Sequence, residues 1–197
     1  LYILSGPLIA TIFLGGNFNI HDLYMTQYSL MAYTFGLIGL SLVLILASAY
    51  YAKQNTKTPV KFGLIAMATN ASLSILFVTT LVFINSPYPH MGLSLAFSCS
   101  TLINAVLLFR GLYREKQIEI GRDEVGFLMR VLVASAVMAV MLGIYNPELT
   151  VWLDQSLAGR VTNLMRLIPS AILVYLVTLF CLGIRAKDIR VKTNSEP

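Results

Sequence analysis

The chain has 197 residues, 57% of them hydrophobic and only 12% charged, with a formal net charge of +5 and a mean hydropathy of +0.75. A water-soluble domain carries roughly 25% charged residues, so an ordinary soluble fold is excluded. The basic residues sit at the ends of apolar runs, and no surface alternates aromatic with basic residues, which excludes a nucleic-acid groove.

Taken in order, the sequence predicts an all-α integral membrane protein of about six transmembrane segments, the first one partial. A hydrocarbon core needs about 20 apolar residues per helix. The first segment, 1–16, carries Ser5-Gly6-Pro7, where a kink or break is expected. The polar turn from Gly15 to Asp22 follows, and the second helix is expected over about 24–52. Ala32, Gly36 and Gly39 give that helix a small-residue face suited to close packing or to a moving helix contact.

The third helix is expected over about 59–84, with Thr58 as its cap and Pro59 at its first position. Tyr50 and Tyr51, just before it, are placed at headgroup depth as an aromatic belt. Later helices are expected over about 89–113, 124–145 and 160–185, with Pro87, Pro89 and Asn146-Pro147 as breaks. Trp152 falls in the longest loop, about 146–159. Cys99 and Cys181 lie in apolar runs with neither a CxxC nor a histidine partner and read as packing residues. His21 and His90 fall in loops without companion ligands, so no metal site is expected.

Alternating the loops across a membrane places Lys53, Lys57, Lys61, Arg110, Arg114, Lys116, Arg122, Arg185, Lys187, Arg190 and Lys192 on one side. That is eleven of the fourteen lysines and arginines, so this side is read as cytoplasmic, with the C-terminus on it. Arg160 falls in an opposite loop, with Asp22, Glu148 and Asp154 on the same side; Arg130 and Arg166 fall within helices. The loops are too short for a soluble catalytic domain, and the apolar runs hold no HExxH, GxSxG, P-loop or paired-carboxylate pattern. Enzymatic activity is therefore not expected. Leu1 opens inside an apolar run with no initiating Met and no charged leader, so the chain is expected to be a piece of a longer protein.

Several motifs in order carry a resemblance: Ile3-Leu4-Ser5-Gly6-Pro7-Leu8 with Gly16-Asn17-Phe18, Tyr33 to Leu40 (YTFGLIGL), and Ala49-Tyr50-Tyr51-Ala52. Lys57-Thr58-Pro59-Val60-Lys61, His90-Met91-Gly92-Leu93-Ser94-Leu95-Ala96 and Asn104-Ala105 continue the series. Together they resemble the MurJ/MviN lipid II flippases, of the multidrug/oligosaccharide-lipid/polysaccharide exporter superfamily, clearly over 1 to about 115 and by helix pattern to about 190. Where many members carry a lysine, this chain has Leu44.

The resemblance implies that 1–192 is the C-terminal transmembrane lobe of a two-lobe transporter and 193–197 a cytoplasmic tail. It implies a bacterial cytoplasmic (inner) membrane location. The implied function is flipping of an undecaprenyl-linked peptidoglycan precursor from inner to outer leaflet by alternating access. Its partners would be that pyrophosphate-linked lipid, membrane lipids and the N-terminal lobe of the same protein. Another lipid-linked oligosaccharide or drug exporter, or a membrane scaffold subunit, would fit the helix pattern as well.

Candidate site residues fall in three groups. Asn70 and Ser74 share one face of the third helix, and Ser94 and Ser98 one face of the fourth. Oxygen ligands suit a coupling cation such as sodium, although interhelical hydrogen bonding uses the same residues and the membrane potential is an alternative drive. Ala134, Ala139, Gly143, Pro169 and Ala171 thin the last two helices, which by resemblance frame a groove for a prenyl tail, and close packing would use them equally. Arg130 and Arg166 would meet headgroups or snorkel to the interface. No other cofactor and no metal is expected.

Overall fold

In the computed structural model, residues 1–15, 18–115 and 122–183 are described, the side chains of 122–124 excepted. Gly16, Asn17, Lys116, Arg185, Lys187, Arg190, Lys192 and the tail 193–197 lie outside the described residues, as does the side chain of Arg122. The described helices are α1 (Ser5–Phe13), α2 (Ile20–Ala52), α3 (Lys57–Phe83), α4 (Met91–Arg114), α5 (Arg122–Tyr145), α6 (Leu149–Asp154) and α7 (Leu157–Cys181). Five of them, α2, α3, α4, α5 and α7, are long and apolar enough to cross a membrane. The protein is an all-α, multi-pass membrane protein.

Local chemistry explains where the helices begin and end. The Ser5-Gly6-Pro7 triplet starts α1 and does not kink it, because Pro7 falls in the first turn, where N–H groups lack helical partners anyway. Ahead of the expected boundary, α2 begins at Ile20, where the Asn19 N–H donates to Asp22 Oδ2 at 3.0 Å and ties the first turn. At its other end the Asn55 N–H reaches Tyr50 O at 3.1 Å and the Gln54 N–H reaches Tyr51 O at 2.9 Å, with Gln54 left-handed at φ 58°. This is the Schellman pattern with glutamine in the usual glycine place. Asn85 repeats it after α3 at φ 50°, where asparagine tolerates the conformation.

Two expectations at the 52–59 hinge are corrected. The capping oxygen of α3 is Asn55 Oδ1, which accepts from the Thr58 N–H at 3.2 Å, because the helix starts at Lys57 and Thr58 is already inside it. Tyr50 is fully buried and donates to Leu108 O at 3.1 Å, while Tyr51 alone is exposed in the belt position. The two rings are adjacent on a helix, so they point about 100° apart and cannot share one environment.

The chain forms two compact units, Leu1–Glu119 and Ile120–Pro197. In the first, α4 packs against both α2 and α3, and α1 packs on α2. Glycine permits the approach: a Cβ on Gly36 would lie 2.8 Å from Ser98 Oγ, and one on Gly39 would lie 2.8 Å from Leu102 N. The small-residue face of α2 is therefore a packing face against α4. Leu46, Tyr50, Leu108 and Leu112 close one end of this unit, with Val43, Phe62 and Phe109 packed around them. Toward the other end Tyr33 stacks on Phe97 at 4.6 Å and Tyr88 meets Tyr28 at 4.6 Å.

In the second unit α5 packs on α7. The stretch expected as a plain loop contains α6, with Trp152 fully buried and its Nε1–H donating to Asn146 Oδ1 at 3.2 Å. Helix α7 begins at Leu157, where Ser156 Oγ accepts from the Gly159 N–H. Arg160 is consequently a helix residue and is buried. Its Nε donates to Trp152 O at 2.7 Å and its Nη2 to Leu153 O at 2.8 Å, capping the last carbonyls of α6.

Candidate functional site

Polar atoms inside apolar helices are the first places to look for function, because an unpaired polar group in a membrane interior is costly. In the first unit three side-chain amide oxygens are buried without a hydrogen-bond donor among the described residues: Gln27 Oε1 on α2, Asn70 Oδ1 on α3 and Asn104 Oδ1 on α4. Asn104 was noted only as part of the Asn104-Ala105 motif and not as a site residue, and Gln27 was not singled out at all. The signal that could have marked both as site candidates was that an amide stands in an apolar run.

Of the residues expected at a cation site, Asn70 and Ser74 are half-buried on one face of α3, and Ser94 is half-buried on α4. Ser98 is buried, and its hydroxyl donates to Ala32 O on α2 at 2.7 Å. Thr101, one turn on, donates to Phe97 O at 2.9 Å within α4 and lies 3.3 Å from Gly36 O on α2. Ser98 is thus tied to α2, and no hydrogen bond among the described residues joins the two pairs. The serine hydroxyl keeps its lone pairs, but its proton is committed.

The small residues of the second unit separate into two sets. Ala134 and Ala171 are buried and Ala139 is half-buried, whereas Gly143 and Pro169 are exposed, with open space around a Cβ built on Gly143. Pro169 lies inside α7 and deprives the Met165 carbonyl of its helical donor. Arg130 is exposed on α5. Leu44 is 66% exposed on α2.

Arg166 is exposed too, and it lines a cavity of about 400 Å³ between α5 and α7 together with Asn163, Ser170, Met141, Tyr145, Pro147 and Leu167. Asn163 is held by its Nδ2–H, which donates to Gln155 Oε1 at 2.8 Å. A second cavity, about 310 Å³, lies between α2 and α4 and is lined by Leu42, Leu46, Leu102, Ala105, Val106 and Phe109. Its lining is wholly apolar. Among the described residues no cluster of three or more His, Cys, Asp or Glu side chains has metal-binding geometry.

Comparison with known proteins adds the family. The family model described as lipid II flippase MurJ matches residues 1–162. A probable lipid II flippase MurJ of Haemophilus influenzae is 37% identical over 190 residues, covering 96% of this chain and 36% of that protein. The corresponding Vibrio cholerae protein is 35% identical over 194 residues, 98% of this chain and 36% of its own length. A lipid II flippase MurJ of Burkholderia cenocepacia is 32% identical over 139 residues, 71% of this chain and 26% of its own. The chain spans about a third of the length of the first two relatives. With these matches running along the same helices, the chain belongs to the lipid II flippase MurJ family.

Proposed function

We propose that this chain is the C-terminal lobe of a lipid II flippase in the bacterial cytoplasmic membrane, with its C-terminus in the cytoplasm. The whole protein moves the undecaprenyl-linked peptidoglycan precursor to the outer leaflet by alternating access and does no covalent chemistry. One observation carries the reading: identity of 35 to 37% extends along nearly all of the chain to relatives named for that activity. The helices support it, since transport between leaflets needs spanning elements that move as packed bodies, and α2 and α4 approach closely at Gly36 and Gly39.

The full-length protein, expressed in cells depleted of their own flippase, is expected to restore growth and lipid II export. Absence of rescue at normal expression would overturn the proposal.

Coupling to a cation, sodium in this proposal, is best supported at Asn70. Its carbonyl oxygen is buried without a donor among the described residues, and hard cations take oxygen ligands. The helices α3 and α4 carry no carboxylate, so any such site is built from neutral oxygens and binds weakly. Replacing Asn70 by Ala is expected to abolish a sodium-dependent component of flipping measured in vesicles. An unchanged sodium dependence would remove Asn70 from the mechanism and leave the membrane potential as the drive.

A further inference from the structure

The cavity between α5 and α7 holds a cation that the proposed transport step does not use. Its lining joins apolar residues, Met141, Pro147 and Leu167, to Asn163, Arg166 and Ser170. The Ser170 hydroxyl is committed to Leu167 O at 2.9 Å, so it has no proton left to offer a ligand. One Asn163 amide N–H is committed to Gln155, and one remains. Among the described residues nothing accepts a hydrogen bond from the Arg166 guanidinium, and neither Glu148 nor Asp154 forms an ion pair with it. The Arg166 guanidinium and the remaining Asn163 N–H are thus donors open to an acceptor brought by a ligand.

Position narrows what the acceptor can be. Helix α7 has 25 residues, about 37 Å at 1.5 Å per residue, and therefore overhangs a hydrocarbon core of about 30 Å. Arg166 lies in its first half, on the side of α6 and Ser156. The guanidinium reaches the polar boundary through its flexible stem, and Tyr145 beside it is the residue type that settles there. An anionic group that approaches from this boundary while its apolar part stays in the core is a lipid phosphate.

A single guanidinium matches the single negative charge of a phosphodiester better than the several charges of a pyrophosphate. The volume accommodates a phosphate and the first methylenes of a chain. Arg130 does not share the site: it stands eleven residues before Met141 on α5, about 16 Å along the helix.

We propose that this cavity docks a membrane phospholipid, its phosphodiester on Arg166 and Asn163 and the start of an acyl chain against Met141 and Leu167. The ligand would hold α5 and α7 together at that end. The proposal rests on the membrane-spanning fold and on the cavity, not on the transported substrate, so its failure would leave the flippase reading untouched.

The test is native mass spectrometry of the purified full-length protein, titrated with phosphatidylglycerol, diacylglycerol, inorganic phosphate and undecaprenyl phosphate. Phosphatidylglycerol is expected to be retained in preference to diacylglycerol, and Arg166→Gln to weaken that retention by about tenfold, the loss of one charge-assisted hydrogen-bonded pair. Arg166→Lys is expected to stay within about threefold, since it keeps the charge and loses only the fork geometry. Arg130→Gln is expected to change nothing at this site. Equal retention by Arg166→Gln and the parent, or equal binding of diacylglycerol, would overturn the proposal. Inorganic phosphate binding as tightly as phosphatidylglycerol would make this a free-anion site, and undecaprenyl phosphate displacing phosphatidylglycerol would make it a prenyl-lipid site. Either result overturns the phospholipid assignment.

Discussion

Tyr50 and Arg160 do opposite things from what their neighbourhoods in the sequence suggest. Tyr50 stands at the end of an apolar run beside three lysines, yet its ring is enclosed and its hydroxyl donates across to Leu108 O. That is possible because the facing residue is Gly111, where a Cβ would collide with the Tyr50 hydroxyl. Gly111→Ala is therefore expected to displace Tyr50 and to cost about 1 to 3 kcal/mol, read in denaturant unfolding of the protein in micelles. Tyr50→Phe, which removes only the donor, is expected to cost less, about 1 kcal/mol. Arg160 was legible as a charge in a loop but not as the cap of α6, because the six-residue helix before it is too short to show a period. Removing the guanidinium with Arg160→Met would leave Trp152 O and Leu153 O without these donors. Faster amide exchange over 149–160, with little change elsewhere, is the expected readout.

Among the elements, α4 is the one on which the first unit depends, since both α2 and α3 pack against it. Its contact with α2 runs through Gly36 and Gly39, and its contact with α3 through Gly92, where a Cβ would lie 3.0 Å from Val78 N. Backbone atoms cannot move aside as a flexible side chain can. Gly39→Val is accordingly expected to separate α2 from α4 and lower the unfolding midpoint, whereas Gly63→Val, at a position with open space around it, is expected to be tolerated. If both substitutions are equally harmful, close approach is not what the glycine provides. The Ala32, Gly36 and Gly39 pattern was readable in the sequence as a packing face. Its partner was not, because small residues carry no information about which helix approaches them.

For the whole molecule, hydropathy and the distribution of lysine and arginine predict the topology. A cysteine at Gln54 is expected to react with a membrane-impermeant maleimide only from the cytoplasmic side, and a cysteine at Glu148 only from the opposite side. Labelling of both from one side would contradict the topology. The existence of the spanning helices was legible because each apolar run is longer than the hydrocarbon core is thick, a condition that local composition satisfies without reference to any neighbour. The candidate sites were legible only in part. Asn70 stands out as an amide in an apolar run, and its oxygen is buried without a donor among the described residues. Ser98 looked equally available, but its proton is taken by the α2 backbone, a partner 66 positions away in the chain.

By itself the sequence determined the membrane-spanning, all-helical character of this protein, its motifs' resemblance to a flippase family, and the breaks at Pro87, Pro89 and Asn146-Pro147. These follow from solvent transfer and backbone sterics, which act within a few residues. Only the tertiary structure decided that Tyr50 turns inward, that Arg160 staples α6 to α7, and that Arg166 lines a cavity with Asn163 and Ser170. Each depends on which helix face meets which, and in a membrane that choice is made by shape and hydrogen bonding between apolar surfaces that are nearly alike in hydrophobicity.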